Sequence, residues 1–227
     1  TILTIFSLTI YGQKSAWYTY SDAPFYEGVA LFEKEKYSAA RILFDQVLEQ
    51  MEGQETQLRS EAMYYRAMSA IRLYNMDSEY QAFTFIAENP ESPRINEICF
   101  AMGDYFHYRM NWPKTVKWFG KVDRSELTLE QLPEFHFKLG YSHYMRRKYE
   151  EARVNFYEIL EIDSPYTSAA TYYYSHIHYV EENYETALMG FRKIDTDPTF
   201  TTVAPYYISQ ILYLQKKYNE VIEYAPQ

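Results

Sequence analysis

Five histidines, one cysteine and several paired acids are the residues of this sequence that could do chemistry, and their spacing limits what they can do. Zinc draws imidazole and thiolate ligands into a compact tetrahedral set. His176 and His178 are two residues apart and point to different sides of a helix. His136 and His143 lie two turns apart, too far to share one ion. His143 and His178 recur at one position of a repeat, which reads as an interior packing position rather than a ligand. Cys99, the single cysteine, excludes an internal disulfide and a multi-cysteine zinc site within these residues. It reads as a small buried hydrophobe. HExxH, CxxC, Walker-type and G-x-S-x-G strings do not occur. The seven glycines form no cluster that could cradle a phosphate. Glu150-Glu151 and Glu181-Glu182 fall at turns or helix starts, where negative charge favours the helix dipole. The expectation is no catalytic residue, no metal and no cofactor: a protein that acts by binding.

What could bind is aromatic. The chain carries 26 Tyr and 14 Phe in 227 residues. Many stand at fixed offsets from six small residues, Gly28, Ala67, Gly103, Gly140, Ser175 and Ser209. Three residues before each comes Phe25, Tyr64, Phe100, Phe137, Tyr172 or Tyr206. Four residues after come Phe32, Ile71, His107, Tyr144, Tyr179 and Tyr213, and one residue after the fourth comes Tyr141. Offsets of three and four share one helical face. Phe25, Tyr64, Phe100, Phe137, Tyr141, Tyr144, Tyr172, Tyr179, Tyr206 and Tyr213 are therefore the candidate partner-binding residues. A tyrosine ladder of this kind offers contact area, hydroxyls and little rotamer entropy to lose. The same rings could instead stack across neighbouring helices and serve only as packing, or could stack on carbohydrate.

The elements that hold this ladder are repeats. KYEEARVNF at Lys148 to Phe156 recurs as KYSAARILF from Lys36, NYETALMGF from Asn183 and KYNEVIEYA from Lys217. NMDSEYQAF ending at Phe83 and NWPKTVKWF ending at Phe119 are degenerate copies. The second residue of each copy is Tyr37, Met76, Trp112, Tyr149, Tyr184 or Tyr218, at separations of 34 to 39 residues. Two helices and their turns fill such a period. Nine residues before each of these positions stands the small residue, which lets two helices approach closely. Ala40, Ala152 and Ala187 allow the same, while Phe44, Phe83, Phe119, Phe156 and Phe191 fill the space between units. In the second unit Met76 takes the aromatic position and Glu79 the small one. Pro24, Pro113, Pro133 and Pro205 fall near helix starts, where a missing N–H costs little.

LGYSHYMRRKYEEARVNFYEIL, from Leu139 to Leu160, closely resembles the consensus of the tetratricopeptide repeat family. The resemblance runs from about residue 21 to 227, with repeats starting near 21, 60, 96, 133, 168 and 202. It implies an all-α right-handed superhelix of about six helix pairs, the last incomplete, whose first helices line a concave groove that receives peptides. Turns such as NPESPR, from Asn89, and IDSPYT, from Ile162, resemble the bacterial cell-envelope branch of the family. Family members that clamp a C-terminal carboxylate use Lys, Arg and Asn along these helices. Here Asp22, Glu61, Glu97, Asp104 and Glu134 and the aromatics stand there, so no chaperone carboxylate-clamp ligand is expected.

Two further expectations concern charge and location. The net charge of −9 argues against nucleic acid, whose phosphates need a basic surface, and an acid rim favours neutral or basic partners. Thr1 to Ile10 are uncharged and apolar or hydroxylic, too few to span a bilayer of about 20 apolar residues. They fit the core of a truncated signal peptide over 1–13, followed by a linker over 14–20, and so export to the periplasm or cell envelope. The sixth copy reaches Gln227 before its second helix is complete, which reads as a fragment of a longer protein. The functional expectation is a non-catalytic scaffold that binds a segment of another protein along the aromatic groove. The alternatives are a spacer with a self-packed groove, or an accessory arm of a larger protein.

Overall fold

The computed structural model describes residues 22–224, which form twelve α-helices and no strand. The proposed leader over 1–13, the linker over 14–20 and the chain end at Gln227 lie outside the described residues. In order the helices are α1 (Ala23–Glu33), α2 (Tyr37–Gln50), α3 (Gln57–Arg72), α4 (Ser78–Glu88), α5 (Ile95–Tyr108) and α6 (Trp112–Phe119). After a 3₁₀ turn at Arg124–Glu126 come α7 (Gln131–Met145), α8 (Tyr149–Tyr157), α9 (Thr167–Val180), α10 (Tyr184–Ile194), α11 (Val203–Leu214) and α12 (Tyr218–Tyr224). Each helix packs on the next, so the chain is an array of six antiparallel pairs, as the period predicts. The last helix has seven residues and buries none of them.

The turn inside each pair is one motif repeated six times. Glu35, Tyr74, Met110, Arg147, Glu182 and Lys216 all take left-handed backbone, with φ between 54° and 62°. The amide after each donates to a carbonyl five residues back, as Lys36 does to Leu31 and Lys148 to His143. These bonds satisfy the orphan carbonyls of the first helix. No glycine occupies this position in any of the six, although left-handed backbone strains an L-residue. The prolines behave as expected. Pro24 and Pro113 sit in the first two positions of α1 and α6, and Pro133 and Pro205 in the first turn of α7 and α11.

The close approach inside each pair is a phenylalanine ring laid over a small residue. A β-carbon on Gly28 would lie 2.8 Å from the ring of Phe44, on Gly103 2.5 Å from Phe119, and on Gly140 3.0 Å from Phe156. All four rings Phe44, Phe119, Phe156 and Phe191 are at most 1% exposed. In the fifth pair the roles are shared. Ser175 holds the first-helix position and Gly190 leaves room for its hydroxyl, which a β-carbon there would meet at 1.9 Å.

The second pair departs from the sequence alignment. The turn matches the others at Met76, but α4 then starts only at Ser78 and its buried positions fall one residue earlier than in the other second helices. Ser78, not Glu79, fills the small position, fully buried, its hydroxyl donating to the carbonyls of Ala70 and Asn75. Ala82 replaces the expected phenylalanine at the core, and Phe83 is 39% exposed against Trp118. The partner across the pair compensates: where the others have Gly or Ser, this one has Ala67, and both alanines are fully buried. Glu79 reaches the next pair instead, accepting from Lys114 at 2.5 Å and from the Trp118 indole at 3.3 Å.

Candidate protein-interaction surface

Consecutive first helices touch one another, α1 with α3, α3 with α5, α5 with α7 and α7 with α9. Second helices meet each other far less. An array whose first helices are drawn closer together curves around them, so they form its inner wall. The aromatic offsets place the ladder on that wall, and the structure divides it in two.

Phe25, Tyr64 and Phe100 are 7%, 4% and 9% exposed, so in the first three pairs the ladder is core. Burial follows from their neighbours. Phe25 meets Phe44 and Tyr65 edge-on, and Phe100 meets Phe119. Tyr64 lies under the Arg94 guanidinium at 4.7 Å and donates to Glu97 at 2.5 Å. Burial first, then the Glu97 carboxylate, pushes its phenol well above the usual tyrosine range. These three rings present no surface to a partner.

The other seven residues are accessible. Phe137, Tyr141, Tyr144, Tyr172 and Tyr179 are half-buried, and Tyr206 and Tyr213 are 57% and 62% exposed. Tyr144 touches Tyr141, Tyr149 and Tyr173, and its hydroxyl lies 3.1 Å from His176 Nδ1. Burial raises its phenol to about 12. Tyr172 is enclosed by Tyr173, Phe191, Phe200 and Tyr207. Tyr179 donates to Gln210 at 2.8 Å, and Gln210 donates to Tyr206 at 2.7 Å.

Two open cavities follow this part of the wall. One of about 460 Å³ lies between α9 and α11, lined by Tyr179, Tyr206, Ser209, Gln210, Tyr213 and Leu214. The other, of about 420 Å³, is lined by His107, Tyr108, Met110, Trp112, Phe137, Tyr141 and Tyr173. Neither contains a charged side chain.

The acids of the wall are not a free rim. Arg94 bridges Glu61 at 3.3 Å and Glu97 at 3.0 Å. Lys138 bridges Asp104 at 2.8 Å and also holds Glu134. Burial lifts the Asp104 carboxyl above the usual range against the pull of Lys138. Each cluster of two acids thus shares one cation and keeps an excess of one acid. Asp22 stands at the start of α1, at the edge of the wall.

All five histidines are held neutral by burial, His107 as far down as about 4, with Lys138 adding to the effect. Among the described residues no group of three His, Cys, Asp or Glu could hold a metal ion. Cys99 is 1% exposed in the core between α3, α4 and α5, as a small hydrophobe.

Three rings escaped the sequence reading. Tyr65, Tyr173 and Tyr207 stand two residues before the small position and stack nearly parallel on the phenylalanine of the preceding pair. The angles to Phe44, Phe156 and Phe191 are 13°, 18° and 6°. Their common offset was the available signal. Tyr108, which lines the second cavity with Trp112, carries no such regularity and needed the turn geometry to place it.

This architecture has relatives among solved structures. The C-terminal part of a TPR repeat-containing protein from Cytophaga hutchinsonii superposes with a TM-score of 0.66 at 15% identity, over 92% of this chain and 82% of that one. The fold is that of the tetratricopeptide repeat proteins. MamA MSR-1 C2 matches with a TM-score of 0.57 at 16% identity, over 77% of this chain and 94% of its own. No protein-family model matches the sequence, and no curated protein matches it. Among the described residues no helix is long and apolar enough to cross a membrane.

Proposed function

We propose that this chain is a non-catalytic scaffold of the cell envelope that holds a segment of a partner protein against the inner wall of α5, α7, α9 and α11. The observation that carries this reading is the change along the ladder. Its rings are core in the first three pairs and only half-buried in the fourth and fifth, beside an uncharged cavity. Large exposed aromatic surface of this kind marks interaction sites. The envelope location rests on the apolar Thr1 to Ile10. Mass spectrometry of the protein from its native source tests it: a mature N-terminus near Gln13 to Ser15 is expected, and an intact segment in the cytoplasmic fraction would overturn it.

The spacer reading is favoured by one observation, the complete burial of the ladder in the first three pairs, and there the rings serve packing. In the last three pairs mutagenesis separates the two roles. Tyr213→Ala and Tyr206→Ala remove exposed rings, so melting should barely move while capture of a partner falls by roughly thirtyfold for a true hot spot. Tyr144→Ala and Tyr172→Ala open enclosed ring clusters and should lower both. Unchanged capture in all four, with melting lowered only in the second pair, would mean the wall holds the solenoid together and nothing else.

A further inference from the structure

We propose that the edge of the array formed by the turns inside the second, third and fourth pairs rests on an anionic phospholipid surface. This edge is a different face from the inner wall, although Tyr108 and Met110 border the second cavity as well. Because consecutive helices run antiparallel, every turn inside a pair lies at one edge and every connection between pairs at the other. The two edges differ in charge. The six turns inside pairs carry a net +4 and the five connections between pairs a net −8, so the overall −9 conceals a polarity across the molecule.

The cations gather at three adjacent turns. Arg72, Arg109, Arg146, Arg147 and Lys148 are all exposed, and none forms an ion pair among the described residues. The acids that follow them in the chain are held by other cations, Asp77 by Arg41 at 2.6 Å and Glu150 by Arg153. Arg72 pulls the Asp104 carboxyl down without bridging it, and Arg109 lies 5.5 Å from the centre of the neutral Tyr105 ring. Glu151 and the acidic fifth turn, Glu181-Glu182, bound the patch. The turns are neighbours in space: the Tyr74 and Tyr108 rings meet at 4.5 Å, and Trp112 at the start of α6 meets Tyr141 of α7 at 5.4 Å. Near an anionic bilayer each such cation adds attraction within a Debye length of the surface.

Charge alone would suit an acidic protein segment equally well; the apolar side chains among the cations favour lipid. Met76 is 96% exposed, Met110 72% and Tyr108 69%, with Tyr74 and Met145 exposed beside them. They project at turn tips. An acidic segment is itself polar and gains no burial from a methionine at a tip. A lipid surface answers both chemistries. Its phosphates meet the guanidinium and ammonium groups, and thioether and phenol tips enter the boundary between headgroups and acyl chains, where tyrosine is enriched. A flat surface can also meet the tips of three adjacent turns at once.

The test is co-sedimentation of the 227-residue chain with vesicles of phosphatidylcholine, alone or with about one third phosphatidylglycerol, at low and high salt. The excess of binding to the anionic vesicles over the neutral ones is the readout, since the apolar Thr1 to Ile10 would attach to either alike. That excess is expected to be large at low salt and to fade as salt rises. Arg146→Glu with Arg147→Glu should weaken anionic binding about thirtyfold or more, as the loss of two cations predicts. The fifth turn already carries Glu181 and Glu182 at these positions, the second of them left-handed like Arg147, so the double variant should melt as the parent chain does. Met76→Ser changes a side chain outside the core and should weaken binding about fivefold at unchanged melting temperature. No excess for anionic vesicles, or full binding by the double variant, would overturn the proposal. Soluble polyglutamate bound as tightly as the vesicles, with no effect of Met76→Ser, would overturn it in favour of an acidic protein partner. Self-association in sedimentation velocity that the double variant abolishes, without vesicle binding, would overturn it in favour of the acidic edge of a second copy.

Discussion

Among the described residues Gly103 makes the tightest glycine contact against a ring, and its replacement by alanine tests the packing logic of the whole array. The new β-carbon would lie 2.5 Å from two atoms of the Phe119 ring and 2.8 Å from a third. Carbon atoms in good contact sit about 3.5–4.0 Å apart, so the ring must retreat by about 1 Å. It has nowhere to go: Phe119 is 1% exposed and wedged edge-on between Phe100 at 5.6 Å and Phe135 at 5.2 Å. Overpacking of this sort costs ~1–3 kcal/mol, and a contact this short belongs at the upper end. Alanine in a helix returns ~1 kcal/mol over glycine, leaving a net loss of ~2 kcal/mol. At ~2–4 °C per kcal/mol for a chain of this size, the melting temperature should fall by ~4–8 °C. Gly140→Ala is the internal control. Its β-carbon would meet Phe156 at 3.0 Å and the Asn155 β-carbon at 3.1 Å, a smaller shortfall. There strain and helix propensity nearly cancel, and the shift should stay within ~2 °C. Phe119→Leu added to Gly103→Ala should cost less than the sum of the single changes, because the shorter side chain vacates the contested space. Calorimetry on the four variants decides the matter. A Gly103→Ala protein as stable as Gly140→Ala, or strict additivity in the double variant, would refute the argument.

Other consequences can be checked with the same instruments. Gly140→Leu should lower the melting temperature far more than Gly120→Leu, since Gly120 is exposed at the end of α6 and a side chain there can extend into solvent; equal shifts would show the register is wrong. Arg147→Gly and Glu182→Gly relieve left-handed backbone at φ 57° and 62° and should each raise the urea midpoint by an amount worth ~1 kcal/mol, a fall in midpoint counting against the strain. The five histidines are held below their ordinary value, so the unfolded chain binds more protons than the folded one below about pH 6.5. Stability should therefore be full above that pH and decline as pH falls toward 4, and His107→Phe should flatten the slope; a slope unchanged by that substitution would contradict the burial of His107.

What the sequence disclosed, and what it hid, follows from how each feature is encoded. Repetition exposed the six pairs, because Gly28, Gly103 and Gly140 recur against Phe44, Phe119 and Phe156 and each is the sterically demanded partner of the other. The second pair was misread because Ala67 with Ala82 changes both letters of the Gly–Phe contact, and the one-residue shift in the buried face of α4 moved Phe83 out of the core. A string alignment follows letters, and a shift of one residue on a helix turns a side chain by about 100°. The positions of the ladder residues on one wall were legible from offsets of three and four. Their exposure was not, since it depends on the next pair: Phe25 is capped by Tyr65 from α3, whereas Tyr206 and Tyr213 have no such ring over them among the described residues.

That dependence on the following pair also explains how one residue pattern can serve two purposes. Tyr65, Tyr173 and Tyr207 each stack on the phenylalanine behind them, so the aromatic content of a first helix is spent first on joining its pair to the previous one. Rings at the neighbouring offset are then buried or left open by what stands beside them. In the third pair His107 stands at the offset that holds Phe32, Tyr144, Tyr179 and Tyr213 elsewhere, and in the fourth Lys138 takes the place of the stacking tyrosine and reaches back to Asp104. The polar exchange interrupts the ring stack at that point. It opens the space in front of Trp112, Tyr141 and Tyr173 without exposing an unpaired charge. A Lys138→Tyr variant would restore the stacking ring onto Phe119 and leave Asp104 buried beside Glu134 with no cation bridging them. The cavity should narrow, and stability should fall as pH rises through the elevated Asp104 range, because a buried carboxylate without its partner is stable only when protonated. Melting temperatures from pH 4 to 8 give the answer. The loss relative to the unsubstituted chain is the readout: a variant whose deficit is no larger at pH 8 than at pH 4 would show that the Asp104–Lys138 pair is not what keeps this part of the wall open and neutral.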